Sequence, residues 1–383
     1  MRSPWYTPQD LLTAQLGGQT ILQKVVREPL PLRQLRQFKN RDKAEGAQPA
    51  LGNETVTGFV KLDPSAAQFI VDQKLFSKSA LNAFLTMKDT DIPNFPNTAI
   101  SLKPVFQTLD QSQLVGGRYF MLPAWPGPPA QPISFPPNAW KQCVWVDVQD
   151  TDLGKGTGKV DTVCKSDGSS RSDDTTYGVG RFIHFRLSAA QARTVNAVRE
   201  AVHGDRAAIT IGGNYAILLG MHVTSREITR WTWQTFWWSP NPDDPPLPSS
   251  KPIAADRPKQ LTGAARNYSM AVGYSMKNPP QPNTGGKNVG DSIYVYNPWL
   301  EAGFGPGSLP ASRPGTFHGK PEPNNVGVQT NCMSCHGQAS YSSTTPGLGS
   351  ILYTGNQYID LKGPQFKGNL RTDFLWSIPD NAR

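Results

Sequence analysis

The chain has 383 residues, which is enough for one large domain or two ordinary ones. Its 10% aromatic content argues against intrinsic disorder, and its 35 Gly and 35 Pro indicate many turns and short strands. A formal charge of +9 favours an acidic partner surface, but no nucleic-acid-binding signature accompanies it, so nucleic acid is not expected as a partner.

Residues 1–55 are basic and interrupted by proline, and we predict that they form an N-terminal arm or linker. Their densest basic run lies between Lys24 and Lys43, which we interpret as a solvated tail over the domain. Residues 56–383 are predicted to form a single β-rich domain that is closed by the segment 318–383. Within this domain, the apolar spacing over 64–88 predicts a helix.

Strand patterns follow that helix, because β-branched and aromatic residues recur between Pro, Gly and Asn. The predicted strands are 98–106, 117–125 and 139–148. A polar loop over 150–180 and a strand over 181–187 come next. Ser188 and Gln191 then have the spacing of a capping box, which predicts that a helix begins there and continues to His203.

Two long strands, or a strand pair, are predicted over 207–228 and 229–238, before a Pro-rich break. The second is rich in Trp on both of its faces, which favours burial in the core over a cofactor wall, an electron exit path or an exposed docking patch. Residues 253–330 have an irregular pattern with one strand candidate at 292–299. Together the elements predict an α+β fold with a mainly antiparallel β core and a few helices.

The sequence Cys332-Met333-Ser334-Cys335-His336 is the attachment signature of c-type haem. The two thiols add across the haem vinyl groups, and the adjacent histidine binds the iron. A zinc site is a second interpretation, but structural zinc sites usually add another closely spaced ligand pair. A thioredoxin-type dithiol is a third, although it requires a strand and helix setting that the Pro- and Gly-rich residues before the motif do not indicate.

The remaining cysteines, Cys143 and Cys164, flank the polar loop and predict a disulfide, with two buried free thiols as the alternative. A disulfide and covalent haem both call for an oxidising compartment outside the cytoplasm. We therefore expect a periplasmic protein whose leader peptide is absent from this sequence. No apolar run approaches the roughly 18 residues of a membrane span, so none is expected.

Residues 337–383 contain no Met and no His, so a second axial ligand of either type has to come from upstream. We predict His222, which ends an apolar strand close to Gly220, where haem could approach the backbone. His203 is accounted for by the dipole of the helix that it ends. The alternatives left open are His184, His318, Met221 or another Met, and an open sixth position.

Four stretches resemble motifs of a family of bacterial monohaem c-type cytochrome proteins, over roughly residues 95–380. They are FPPNAWKQCVWVDV, LLGMHVTSREITRWTWQTFWW, NPWLEAGF and NCMSCHGQASY. The resemblance implies a periplasmic protein with one covalent haem c and brings no established reaction. A weaker architectural likeness is to cytochromes that place a β-rich domain before a late haem signature and cross-link a lysine to the haem. No such lysine is identifiable in the sequence, so their hydroxylamine chemistry is not implied.

These features predict a one-electron transfer protein, alone or as a subunit of a redox complex, with a redox partner that presents an acidic surface. The alternative is a haem enzyme or gas-binding protein with an open sixth position, acting on peroxide, hydroxylamine or nitric oxide. The chain is longer than electron carriage requires, so its status as an enzyme stays open at this point.

Overall fold

The structure is a computed structural model that describes ten stretches of the chain. They are residues 5–16, 56–87, 89–130, 133–203, 210–280, 290–304, 316–317, 320–321, 330–344 and 358–383. The basic run between Lys24 and Lys43 lies outside them, as does His318. The described residues form an α+β fold, which confirms the predicted class.

The helices of the described residues are mostly short, and none is long and apolar enough to cross a membrane. They are α1 (Pro8–Leu16), α2 (Pro64–Asp72), α3 (Lys78–Thr86), α4 (Ala189–His203), α5 (Lys251–Ala255), α6 (Pro298–Glu301), α7 (Cys332–His336) and α8 (Ser377–Asn381). The single helix predicted over 64–88 is two helices, because Lys74 between them takes a positive φ of 52°. The capping box of α4 is confirmed, since Ser188 and Gln191 exchange hydrogen bonds of 2.8 and 3.2 Å.

The strands are numbered along the chain. The first nine are β1 (Val56–Gly58), β2 (Lys61–Leu62), β3 (Ile100–Leu109), β4 (Tyr119–Pro123), β5 (Cys143–Asp147), β6 (Thr176–Gly178), β7 (His184–Arg186), β8 (Tyr215–Ser225) and β9 (Thr232–Trp238). The others are β10 (Tyr268–Gly273), β11 (Lys277–Asn278), β12 (Asp291–Ser292), β13 (Thr316–Phe317), β14 (Lys320–Pro321), β15 (Ser340–Tyr341) and β16 (Leu370–Arg371).

The main sheet has the strand order β1-β3-β8-β9-β10, with β2 beside β3 and β7 beside β8. All of its pairs are antiparallel. A second sheet has the order β4-β5-β6 and contains one parallel pair. The prediction of a mainly antiparallel β core is therefore correct.

Two sequence predictions between residues 253 and 304 are wrong. The strand expected over 292–299 is not formed there; Pro298 begins α6, which Asn297 caps by accepting a hydrogen bond from Trp299 N at 3.0 Å. The same region, expected to be irregular, contributes β10, which pairs with β9 over its whole length. Six consecutive residue pairs along β9 explain why this Ser- and Gly-containing stretch is a strand.

Two large clusters of buried apolar side chains, and a smaller third one around Phe59 and Leu187, form the core of the described residues. The first joins the two sheets, with Val105 of β3, Val144 of β5 and Ile217 of β8 each fully buried. The second packs α1, α2 and α3 against the C-terminal segment, with Leu11, Leu81 and Leu370 among its members. The predicted boundary of the domain at residue 56 stays a prediction.

Part of the predicted N-terminal arm belongs to this second cluster. Tyr6 and Leu62 exchange backbone hydrogen bonds of 2.7 and 2.8 Å, so residue 6 extends the edge at β2. Tyr6, Leu11 and Leu12 are all buried. Residues 5–16 therefore contribute to the core.

The polar loop after β5 is organised around Asp161. Cys143 and Cys164 form a disulfide whose Cα atoms are 5.9 Å apart, which is the predicted pairing. The Asp161 carboxylate accepts hydrogen bonds from the Val163 and Cys164 amides, from the Trp145 indole at 3.0 Å and from Ser170 at 2.6 Å. The disulfide and the carboxylate together fix the start of the loop against β5.

We expect reduction of this disulfide to lower stability without unfolding the main sheet. Opening a loop of 21 residues costs about 3 kcal/mol in the chain-entropy account. The measurement is chemical denaturation of the native protein and of a Cys143→Ala/Cys164→Ala variant. Alkylation of both thiols in native, unreduced protein after denaturation would contradict the pairing.

Candidate functional site

The Cys-x-x-Cys-His signature forms α7, a helix of only five residues. It lies where the two core clusters meet, because Cys332 packs against members of both. A helix of this length is not stable in isolation. Its position therefore depends on neighbouring elements, and three of them hold it.

The first is Asn331, which caps the helix and is almost completely buried. Its side-chain oxygen accepts hydrogen bonds from Met333 N at 2.9 Å and Ser334 N at 3.3 Å. Its amide nitrogen donates to Ile293 O at 2.8 Å and Ser275 O at 3.3 Å. One side chain thus satisfies the first amides of α7 and ties them to the segment before α6.

The second is the backbone of Val295. It donates to Thr330 O at 3.0 Å, and its carbonyl accepts from Cys332 N at 3.0 Å, which makes a parallel bridge with Asn331. The Cys332 thiol also donates to Val295 O at 3.1 Å. The structure keeps Cys332 and Cys335 as free thiols, both partly exposed.

The third is a backbone carbonyl near the C-terminus that orients the histidine. His336 Nδ1 lies 2.8 Å from Phe374 O, and a carbonyl can only accept, so Nδ1 carries the proton. The lone pair is therefore on Nε2, which forms no hydrogen bond with any described residue. The Trp233 ring lies beside the imidazole, with 4.4 Å between ring centroids. Histidines that bind metals usually have their other ring nitrogen bonded to the protein in the same way.

The surroundings of α7 keep these groups neutral. Burial lowers the pKa of His336 to about 3, although the hydrogen bond to Phe374 opposes this shift. Burial also raises the pKa of Cys335 to about 12 and that of Cys332 well above its usual range. Both directions favour a neutral imidazole and protonated thiols.

His222, the predicted sixth ligand, lies on the face of the main sheet next to this helix. It is directly opposite Lys103 on β3 and Thr235 on β9, so the three side chains share one face. The charges of Lys103 and His222 both act on His336, which places them near the signature. Burial lowers the pKa of Lys103, and the negative charge of Glu301 opposes that shift.

The partner of His222 is Glu301 at the end of α6. His222 Nε2 is 2.8 Å from Glu301 Oε1, and both side chains are nearly buried. Glu301 Oε2 accepts from Asn297 N at 2.6 Å. The Glu301 carboxylate accepts a hydrogen bond from His222 Nε2–H, so in the neutral imidazole the lone pair of His222 is on Nδ1. That atom is buried and has no hydrogen-bond partner in the described part of the chain.

Gly220 has a different role from the one that we expected. A Cβ atom there would lie 2.7 Å from the Asn297 side chain, so the close approach is made by Asn297. Asn297 donates to Thr235 at 2.9 Å and to Phe236 O at 2.8 Å. The glycine thus lets α6 dock on the sheet, which brings Glu301 to His222.

The residues fit a covalent haem. The chain presents two reduced thiols three residues apart, a following histidine with its Nε2 lone pair available, and a buried orphan nitrogen at His222. A buried polar atom without a partner costs free energy, so it marks a place where a further group can bind.

The other candidate ligands are placed elsewhere. His184 Nδ1–H donates to Phe182 O at 2.8 Å, and its ring lies against Tyr215. Met221 is in register with Pro104 and Phe236, on the sheet face opposite to His222. His203 is the last residue of α4, and its side chain is outside the description.

The zinc and dithiol interpretations gain no support from the described residues. The only group of three potential metal ligands among them is Cys143, Asp161 and Cys164, where the sulfurs are in a disulfide and the carboxylate is already bonded. The short α7 follows an isolated bridge at Asn331 and is not the long helix of a βαβ unit.

Sequence reasoning missed three groups of the site: Lys103, Glu301 and the Phe374 carbonyl. Glu301 had a local signal, since the Asn297-Pro298 pair marks the start of a helix that ends at this glutamate. Lys103 looked like an ordinary charge in a strand. The Phe374 carbonyl had no signal, because every residue has one.

Comparisons of this chain with protein-family models, with curated proteins and with solved structures find no match. The family resemblance of its motifs therefore stays a prediction. The functional argument depends on the geometry of α7 and its neighbours.

The Asn331 side chain offers a direct test of how α7 is held. We expect Asn331→Ala to lower the free energy of unfolding by about 3 kcal/mol, because it removes a cap and leaves buried carbonyls unpaired. Asn331→Ser keeps an oxygen that can cap and loses only the amide donors, so it should cost roughly half as much. Chemical denaturation measures both; equal losses in the two variants would contradict the capping role.

Proposed function

We propose that this protein is a periplasmic monohaem c-type cytochrome that transfers single electrons, alone or as a subunit of a redox complex. The observation that carries the proposal is the state of His336. Its Nδ1–H is bound to Phe374 O, and no described residue bonds its Nε2, which directly follows two free thiols. A histidine that had only a structural role would have little reason to follow two unpaired cysteines at this spacing.

The residues that would hold the haem are Cys332 and Cys335 through their sulfur atoms and His336 through Nε2. When bound, the haem supplies a reversible one-electron change at its iron. The chain's own residues orient the imidazole through Phe374 and cover it with Trp233, which is almost completely buried.

Location and partner follow from other features. The Cys143–Cys164 disulfide supports an oxidising compartment, which suits the periplasm. A formal charge of +9 supports a redox partner with an acidic surface, and association with it should weaken as salt rises.

The charged cluster beside the signature favours a second candidate function. Lys103, His222 and Glu301 place proton donors and acceptors close to α7. Plain electron carriage has no use for them, whereas a haem enzyme or gas-binding protein acting on peroxide, hydroxylamine or nitric oxide would. In that case His222 stays on Glu301 and the sixth position is open.

One prediction of this proposal concerns the covalent attachment of haem to Cys332 and Cys335. Protein produced with a haem-attachment system should have an intact mass that exceeds the polypeptide mass by one haem. Cys332→Ala/Cys335→Ala should lose this added mass, because both thioether bonds are gone. Met333→Leu, a volume-conserving change between them, should keep it. An unmodified mass for the unaltered chain, with zinc bound, would reject the proposal.

The second prediction concerns His222. If His222 is the sixth ligand, the reduced protein gives sharp low-spin optical bands, and His222→Ala converts the spectrum to high-spin. His184→Ala is the matched control, since His184 is also on a strand of the main sheet and should leave the bands unchanged. A low-spin spectrum that persists in His222→Ala would reject the ligand assignment. A high-spin spectrum of the unaltered chain that shifts with carbon monoxide would favour the second function.

A further inference from the structure

The carbonyl that orients His336 belongs to a strained turn. Asp373 and Phe374 both have positive φ values, of 45° and 68°. The turn is closed by a hydrogen bond of 2.9 Å from Leu375 N to Thr372 O. Positive φ at both central positions is typical of a type I′ turn, which favours Asn or Asp followed by Gly. Phe374 occupies the position that usually requires glycine, so this backbone conformation has to be stabilised by interactions with the surrounding structure.

The buried ion pair between Arg226 and Asp373 stabilises this turn. Asp373 Oδ2 accepts from Arg226 Nε at 3.0 Å and from Phe95 N at 3.1 Å. The Arg226 and Asp373 side chains are only 6% and 7% exposed. Arg226 also donates to Ile228 O at 2.9 Å and to Asn94 Oδ1 at 3.2 Å. The Arg226 guanidinium is thus fixed just after the end of β8, where it binds Asp373, the first residue of the turn with a positive φ.

The same turn is joined to the end of the haem signature. Thr372 N donates to Ala339 O at 3.0 Å, and Ala339 N donates to His336 O at 3.0 Å. Two backbone hydrogen bonds therefore connect the turn that carries Asp373 and Phe374 to the end of α7. Without the hydrogen bonds of the Asp373 carboxylate, the turn would relax to ordinary φ values, and the Phe374 carbonyl would rotate away from Nδ1.

We propose that the Arg226–Asp373 ion pair is a positioning device for His336: it stabilises the strained turn that aims the Phe374 carbonyl at Nδ1 and so leaves Nε2 as the ligand atom. This role rests on the proposed function of His336 as the iron ligand. Among the described residues, no hydrogen bond or ion pair joins Arg226 or Asp373 to the imidazole, so each acts through the turn.

The direct test reads the tautomer of His336 in the full-length chain without haem. Histidine labelled with nitrogen-15 distinguishes Nδ1–H from Nε2–H, and the His336 signals are assigned by their loss in His336→Gln. Asp373→Asn tolerates positive φ but removes the charge. We expect it to lower the ratio of the Nδ1–H to the Nε2–H form by roughly fivefold, which corresponds to the loss of one ordinary hydrogen bond.

Asp147→Asn is the matched control for burial of a charge. Asp147 is also 7% exposed and is bound by an arginine, Arg118, but it lies in the second sheet. This variant should lose stability and keep the His336 tautomer. An equal change of tautomer in Asp147→Asn would assign the effect to general loosening of the fold and overturn the proposal.

Arg226→Lys decides the question if Asp373→Asn does not fold. It keeps the positive charge and loses the planar fork, so a smaller change of the same sign is expected. An unchanged tautomer in a folded Arg226→Lys protein, or in a folded Asp373→Asn protein, would overturn the proposal.

A second readout separates this inference from the proposed function. In haem-loaded protein, the variants should raise the reduction potential, because an imidazole without its Nδ1 hydrogen bond is a weaker electron donor to iron. If the unaltered chain takes up no haem, the proposed function fails, and the tautomer ratio still decides the role of the ion pair. If haem is bound and neither the potential nor the tautomer changes, the positioning role is wrong while the proposed function stands.

Discussion

A helix of five residues cannot hold its own ends, and the candidate site depends on this constraint. Intrahelical bonds leave the first amides and last carbonyls of α7 unpaired, so they have to be bonded from outside. Asn331 and Val295 secure its start, and the Phe374 carbonyl secures the ring at its end. Val295 and Phe374 come from parts of the chain on either side of α7. The site therefore exists only when the segment before α6 and the C-terminal turn are both in place.

The main sheet adds a second constraint, because it places charges side by side. Lys103, His222 and Thr235 are neighbours on three adjacent strands, and α6 covers them with Glu301. Buried charges are tolerated when they are paired, and truncating one partner costs more than removing both. Lys103, His222 and Glu301 lie near the two thiols, so adding or removing a charge at the site acts electrostatically on the whole cluster.

How much of this could be predicted depends on whether the signal is local. The signature at Cys332, the capping box at Ser188 and the strand of β5 are determined by residues close in sequence, and they were predicted. The break at Lys74 and the strand β10 were not, because a positive φ and a pairing with β9 are decided by tertiary contacts. The Asn297-Pro298 pair did carry a helix signal, but the apolar alternation before it suggested a strand. The ion pair between Arg226 and Asp373 joins residues that are 147 positions apart. At that separation, the periodicity of apolar residues gives no information about contacts.

The two larger core clusters draw on different parts of the chain, which has a consequence for the order in which the molecule folds. Members of the first cluster lie between Val56 and Ala302, so it can form as soon as that stretch of chain is available. The second needs α1 near one end and Ile378 near the other, and α1 contacts α8 directly. As the chain emerges from the ribosome or a translocation pore, a half-built intermediate is therefore expected, in which the sheets are packed while α1 to α3 await their partners. During that interval the C-terminal turn has not yet packed against α7, so the thiols of Cys332 and Cys335 are expected to be more accessible than in the folded protein.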